Sequence, residues 1–385
     1  MKGSASRQQD APPIAMIAGA TAALIVGQLA TNLVPFLLTV SIRQAKLDET
    51  SASLLISVEF MSFLLSALIV GAVKQLRLNM VATLACLTYA GASLGSGQAD
   101  DMWQLMAMRS ICGFAGGAAM ASGTRAIASH QRYEMIIATA LIGGTICGAI
   151  CLFTIPVLLE RSGTQAVYIA LAILALLSAL FCWGLSLGTR QAPEYSGDKF
   201  PLTGVGLALI AAYVCVRLSD ATYWPFAERL GARAGLEEET VGLVLALVTL
   251  LALTAPFVGL RIHRPRNQLI VFACALAAKA LSAALLLVWP TPVGYALGQT
   301  IAIYTLVLAL QLAMSRFAAV DATGRLAVLG GIAAMIADAT GPIFSGLAFR
   351  LDGYPGIAIV SAGLSLVGMG ILAMLVRSAK PVPAL

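Results

Sequence analysis

Charge is what this sequence has least of. Only 11% of its 385 residues are Asp, Glu, Lys or Arg, against roughly 25% in soluble domains, so a surface solvated on all sides is excluded. Histidine is nearly missing, with His130 and His263 alone, both in short polar breaks. There is no Walker-type phosphate loop, no metal-ligand spacing and no nucleophile–base constellation. ATP-driven pumping therefore lacks its machinery, and neither a cofactor nor a metal is expected. The seven cysteines (Cys86, Cys112, Cys147, Cys151, Cys182, Cys215 and Cys274) all sit inside apolar runs. Their spacing suits neither a zinc knuckle nor a disulfide framework, which leaves helix packing as their role.

Hydrophobicity fills the space that charge leaves. Apolar residues make up 59% of the chain and the mean hydropathy is +0.90. The apolar residues lie in runs long enough to cross a bilayer, which takes about 20 residues. Splitting the runs at charged or Gly/Pro-rich breaks predicts an all-α membrane protein of twelve spans, near 14–40, 51–73, 80–98, 103–125, 134–158, 166–189, 202–226, 240–260, 268–289, 293–315, 326–348 and 356–376. The first is too long for a signal-peptide core and reads as a retained span. The longest polar break between spans six and seven predicts two six-helix bundles, 1–189 and 202–385, joined by a linker at 190–201.

The formal charge of +6 would suggest nucleic acid in a soluble chain. Here its distribution gives topology instead. Alternate loops, together with both termini, hold 15 Lys and Arg, the other six loops hold 6, and Arg109, Arg217 and Lys279 lie inside spans. That asymmetry predicts cytoplasmic termini. A short phrase also recurs: Leu47-Asp48-Glu49-Thr50 and Leu236-Glu237-Glu238-Glu239 each lead into an apolar run, 189 residues apart. Those runs end at Gly71 and Gly259, 188 residues apart, each followed by basic residues. A module written twice is the signature of secondary-transporter folds. The same register aligns Glu59 near Val248, and Arg109 near Gln299.

Span four carries Arg109-x-x-x-Gly113-x-x-x-Gly117 followed by two alanines. Together with the twelve spans, the repeat and the basic loops, this resembles the major facilitator superfamily over essentially the whole chain. Gly71 fits that family's loop 2–3 motif, although Gln75 stands where an aspartate is usual, and Gly259 begins the repeat copy. Span five offers Gly143, Gly144 and Gly148 without the Gly-Pro pair typical of family antiporters, whereas span eleven has Gly341-Pro342 and Gly346. The resemblance implies a two-bundle transporter whose spans one, four, seven and ten line a central cavity.

Ionisable groups inside spans are costly and mark function or partners. Glu59, Arg109, Arg217 and Asp220 fall at similar depth in the outer third of their spans, and Lys279 and Asp338 near mid-span. Equal depth permits a Lys279–Asp338 pair, and spacing of three permits Arg217 and Asp220 to neutralise each other. A carboxyl beside an arginine in a partly wet cavity can change protonation. Glu59, Asp338 and Asp220 are thus the proton-coupling candidates. Arg109, Gln28, Asn32, Arg217, Gln299 and Tyr304 are the substrate-binding candidates. Gly113, Gly117, Gly71, Gly259, Gly341 and Pro342 carry the structural motifs, and Tyr223 to Phe226 reads as an interfacial aromatic belt. The expected function is proton-coupled transport of a small organic solute; the basic residues would suit an organic anion and the acids equally a cation, so the charges give no net bias. The alternatives are drug/proton antiport and, further off, a membrane sensor or enzyme on the same scaffold. The expected partners are a small-molecule substrate, protons and the lipid bilayer, without nucleic acid, and with the chain a bacterial inner-membrane monomer.

Overall fold

The computed structural model describes residues 14–73, 75–185, 203–321 and 323–378; the linker expected at 190–201 lies outside them. Among the described residues every regular element is helical. In chain order these are α1 (Ile14–Ala45), α2 (Glu49–Ala72), α3 (Leu78–Ser96), α4 (Met102–Ala128), α5 (Tyr133–Cys182) and α6 (Gly204–Tyr223). There follow α7 (Ala227–Arg233), α8 (Glu238–Ala252), α9 (Ala255–Leu260), α10 (Pro265–Val288), α11 (Pro292–Val320) and α12 (Arg325–Ser378). A 3₁₀ turn, Trp224–Phe226, carries α6 into α7.

Local chemistry sets the ends. Asp101 caps α4 by accepting from the amides of Trp103 and Gln104, at 2.8 and 2.9 Å. Thr203 and Thr291 do the same for α6 and α11, satisfying amides that no turn precedes. Pro265 and Pro292 occupy first helical positions, where their missing N–H costs nothing. At the turn into α12, the Asp321 carboxylate accepts from the amides of Thr323 and Leu326, at 2.9 and 2.8 Å, and from the Thr323 hydroxyl. Those bonds, led by the Thr323 hydroxyl, hold its carboxyl below the ordinary carboxylate value.

Nine helical segments are long and apolar enough to cross a membrane among the described residues, counting α6 with α7 and α8 with α9 as one each. Two of the nine are oversized. α5 has 50 residues and α12 has 54; unbroken, they would run about 75 and 80 Å at 1.5 Å per residue. Each is interrupted instead. The backbone leaves helical geometry at Gly163 (φ 77°) in α5, and at Asp352 and Gly353 (φ 61°) in α12. Glycine tolerates such angles where other residues strain. The interruptions fall at the turns expected between spans five and six and between spans eleven and twelve.

Within the first half, α1 packs on α4 and α5, α2 on α4, and α3 on α4 and α5. In the second half, α6 packs on α12, and α10 on α11 and α12. Across the halves, α2 meets α12 and α5 meets α8. Small residues permit the closest approaches. A Cβ on Gly113 or Gly117 would run into the carbonyls of Glu59 or Phe63, so α4 rests directly on the α2 backbone. Gly341 likewise rests on Ala221 of α6, and Gly259 stands 2.6 Å, by the same measure, from the Gln311 amide oxygen. Gly71 faces open space, so the loop 2–3 glycine packs nothing. Leu84, Leu180, Phe257 and Leu351 are among the large apolar side chains left on the outside, as a lipid-facing surface requires.

Candidate functional site

A cavity of about 270 Å³ opens between the halves. Thr31 and Asn32 of α1, Phe60 of α2 and Thr145 of α5 border it from one side. Arg217 and Asp220 of α6, Trp224 of the 3₁₀ turn, Thr249 of α8, Ile303 and Val307 of α11, and Asp338 and Pro342 of α12 border it from the other.

The charges at its wall are paired, though not as expected. Arg217 donates to Asp338, and Lys279 Nζ donates to Asp220 Oδ1 at 2.7 Å. The expected Lys279–Asp338 pair does not form, nor do Arg217 and Asp220 neutralise each other. The reason is the bend in α12. Its first arm carries Asp338 and places Gly341 on Ala221 of α6, whereas its second arm carries Gly368, which approaches both Cys215 of α6 and Leu276 of α10. α6 therefore contacts both arms, and its Arg217 takes Asp338 of the first arm while its Asp220, nearly one turn on, takes Lys279 of α10. Ser219 of α6 fastens the second arm through bonds to Ser361 and Ser365 at 2.8 to 2.9 Å.

Arg217 and Asp338 keep 17% and 21% of their side chains exposed. Lys279 is 2% exposed, with its ammonium 5.7 Å from the centre of the Tyr223 ring, a cation–π contact. Arg217 Nε is buried and has no partner.

Glu59 and Arg109 do come together. Arg109 Nε donates to Glu59 Oε2 at 2.9 Å, and Nη2 donates to Oε1. Both side chains are 1% exposed, so the partly wet setting expected for them is corrected to a dry one, sealed between α2 and α4. Neither borders the cavity. Burial follows from the motif itself, because Gly113 brings α4 onto the backbone of Glu59.

Of the remaining candidates, Asn32 borders the cavity. Gln28 is half-buried and faces Gly144, while Asn32 also faces Gly148, so the glycines of α5 make room for the polar side chains of α1. Tyr304 packs at the edge of the second-half core. Gln299 is fully buried, and neither of its amide atoms has a partner.

Polar contacts join the halves where α1 ends and α2 begins. Arg43 pairs with Glu238, Arg229 Nη1 with Glu49 Oε1 at 3.0 Å, and Thr39 Oγ1 donates to Glu228 Oε2 at 2.5 Å. Thr50 Oγ1 donates to the Gly346 carbonyl at 3.3 Å. Trp224 adds a fifth contact, its Nε1 donating to the Thr31 carbonyl at 2.8 Å. That acceptor is free because Pro35, four residues on, has no N–H to offer it. The expected aromatic belt is thus corrected: Tyr223 and Phe226 are buried and Trp224 clamps the halves. Glu228, 3% exposed, escapes a sequence reading that ends span seven at Phe226. The 3₁₀ turn extends the helix by another two turns and takes Glu228 inside.

Neither a protein-family model nor a curated protein sequence matches the chain. Solved structures do. A bacterial homolog of the human lysosomal transporter Spinster, in an inward-facing and occupied conformation, matches with TM-score 0.69 at 14% identity, covering 96% of this chain and 98% of that one. A D-xylose–proton symporter matches with TM-score 0.72 at 12% identity, over 95% and 98%. The human organic anion transporter MFSD10 matches with TM-score 0.68 at 15% identity, over 94% and 100%. At such identities the fold is what is shared. It is the all-helical membrane fold of the major facilitator type, spanning nearly the whole chain.

Proposed function

We propose that the chain is a secondary active transporter that moves a small organic solute by alternating access and couples the movement to protons. The observation that carries this reading is the Arg217–Asp338 pair, partly exposed on the wall of a cavity between the halves. Protonation of Asp338 would release Arg217, and a guanidinium without its carboxylate is free to answer a solute. The Nη2 donor that Asp338 now holds would then suit an organic anion. The named functions of the matching structures, a proton symporter and an organic anion transporter among them, support solute transport as the class.

Counting α4 as well, and both arms of α5 and of α12, gives twelve crossings, in halves 1–189 and 202–385 joined through 190–201. The distribution of basic residues supports cytoplasmic termini, in a bacterial inner membrane. The seam of Arg43, Glu49, Arg229 and Glu238 then faces outward, and the protein works as a monomer without an enzymatic step. Glu59 and Arg109, being dry, act as a strut rather than as a carrier. One feature favours drug/proton antiport as a second reading: Phe60, Trp224, Ile303 and Val307 make an apolar wall beside two carboxylates, which suits an amphipathic cation.

A thermal-shift screen of the purified protein against organic anions, sugars and amphipathic cations selects ligands, since binding to the folded state raises its stability. Proteoliposomes under an imposed pH gradient should then accumulate a selected solute. If no selected solute crosses faster than in empty liposomes, the transport reading fails. If cations alone accumulate, the antiport reading replaces the anion one.

A further inference from the structure

Among the buried polar atoms of the second half that lack a partner, the Tyr223 hydroxyl and both amide atoms of Gln299 lie together. The Gln299 side chain borders the Tyr223 and Tyr295 hydroxyls, and all three residues are buried. Dry, unpaired polar groups are costly in a protein interior, and ordered water is their usual partner.

Both ends of this cluster reach charge. At one end, the Tyr223 ring lies 5.7 Å from Lys279 Nζ, which donates to Asp220 at the cavity wall. At the other, Tyr295 sits four residues before Gln299 on the same face of α11, and its hydroxyl donates to the Ala227 carbonyl at 2.9 Å. A Cβ on Gly231 would come within 3.1 Å of Tyr295 Cζ. The tip of Tyr295 therefore rests on α7 between Ala227 and Gly231, one residue from Glu228. That carboxyl faces Thr39 and Arg43 of α1, Glu238 of α8, Tyr295 of α11 and its neighbour Arg229, which holds Glu49 of α2. Asp220 faces Lys279 of α10, Asp338 of α12, and Arg217 and Tyr223 of its own segment.

We propose that Tyr223, Gln299 and Tyr295 enclose ordered water, and that this buried polar track links Glu228 at the seam to the Asp220–Lys279 pair at the cavity. The inference rests on the transporter reading and gives Glu228 a task within it. A proton leaving the Glu228 carboxyl enters the enclosed water, and a proton from that water passes to the Asp220 carboxylate. Only O–H bonds form and break, and no other reactant is needed. The cavity can thus exchange protons with the seam side while the Arg43–Glu238 and Arg229–Glu49 contacts stay closed.

Infrared spectroscopy of the purified full chain, with no solute added, tests the track. A carboxyl band that titrates in the wild type and is lost in Glu228→Gln belongs to Glu228. Asp220→Asn should move the midpoint of that band by roughly threefold or more in proton concentration, as interacting sites do. In Gln299→Leu and in Tyr223→Phe the band should persist and the shift should vanish. An internal-water O–H band that responds to heavy-oxygen water should be present in the wild type and lost in both track variants. The proposal is overturned if the Glu228 midpoint ignores Asp220, if the shift survives in both track variants, or if the water band is missing or unchanged by them. Tyr223→Phe removes one oxygen and no bulk, so it carries the test should Gln299→Leu fold poorly. No transport is measured, so a failed track and a failed transporter reading give different results.

Discussion

Glu59→Gln separates a structural ion pair from a working one. It leaves the Arg109 guanidinium cationic, 1% exposed, and with Nη1 already unpartnered. Removing one member of a buried pair costs about 3–5 kcal/mol, because the survivor keeps its charge without water or counter-ion. Asp338→Asn is a different case, since Arg217 is 17% exposed at a cavity wall and has Asp220 on the same helix face. Its cost should fall well below that of the sealed pair, nearer to the value of about 1 kcal/mol for exposed pairs. Glu59→Gln should therefore destabilise the chain several times more than Asp338→Asn. Replacing both buried partners with apolar residues of similar bulk, Glu59→Leu with Arg109→Met, should recover most of the loss. Unfolding in detergent can be followed with a thiol-reactive dye, because Cys86, Cys112 and Cys182 are buried and label only on opening. Equal losses for Glu59→Gln and Asp338→Asn, or a double variant no better than the single one, would refute the assignment of Glu59 as a strut.

Three further outcomes follow from the packing and the turns. Gly113→Ala and Gly117→Ala should each cost about 1–3 kcal/mol in the same unfolding assay, as overpacking does. Gly71→Ala, with nothing within 4 Å of its Cβ, should stay within about 0.5 kcal/mol of the wild type. Pro35→Ala restores an N–H that competes with Trp224 for the Thr31 carbonyl, so Trp224 fluorescence should shift and quencher access rise; an unchanged spectrum would dissociate the proline from the clamp. The Asp321 carboxyl titrates below its ordinary value of 3.8 when folded. Its bonds therefore stabilise the α11–α12 turn fully above the unfolded value, and the effect is lost as pH falls through the lower, folded one. Hydrogen exchange at residues 323–328 should be slow at neutral pH and faster in Asp321→Ala; if the variant exchanges like the wild type, the cap contributes nothing.

Much of the fold was legible because hydropathy and the doubled phrase report properties that a bilayer imposes. Lipid demands long apolar helices, and a repeated module leaves its register in the sequence. The glycines of α4 were legible for the same kind of reason, since helical spacing of small residues has one main physical use. The ion pairs were legible only by depth. Depth along a helix is one coordinate, and the side of α6 on which a residue stands is another. Lys279 and Asp338 share the first, and which α6 residue each meets, Asp220 or Arg217, is set by how α10 and the two arms of α12 pack around α6. Glu228 was hidden by a boundary placed at a proline and an aromatic cluster, where the chain turns through a 3₁₀ step and continues as helix. Trp224 was read as a membrane belt because its acceptor, a carbonyl freed by Pro35, lies 193 positions away in the sequence.

Transport by Asp338→Asn in proteoliposomes tests the central claim most directly. With a solute chosen by thermal shift on the wild type, the variant should still exchange labelled for unlabelled solute across the membrane, because the cavity and its alternation are intact. Uphill accumulation under a pH gradient should be lost, because no protonation step is left to free Arg217 from its partner. Accumulation at the wild-type level would contradict the assignment of the Arg217–Asp338 pair as the coupling site.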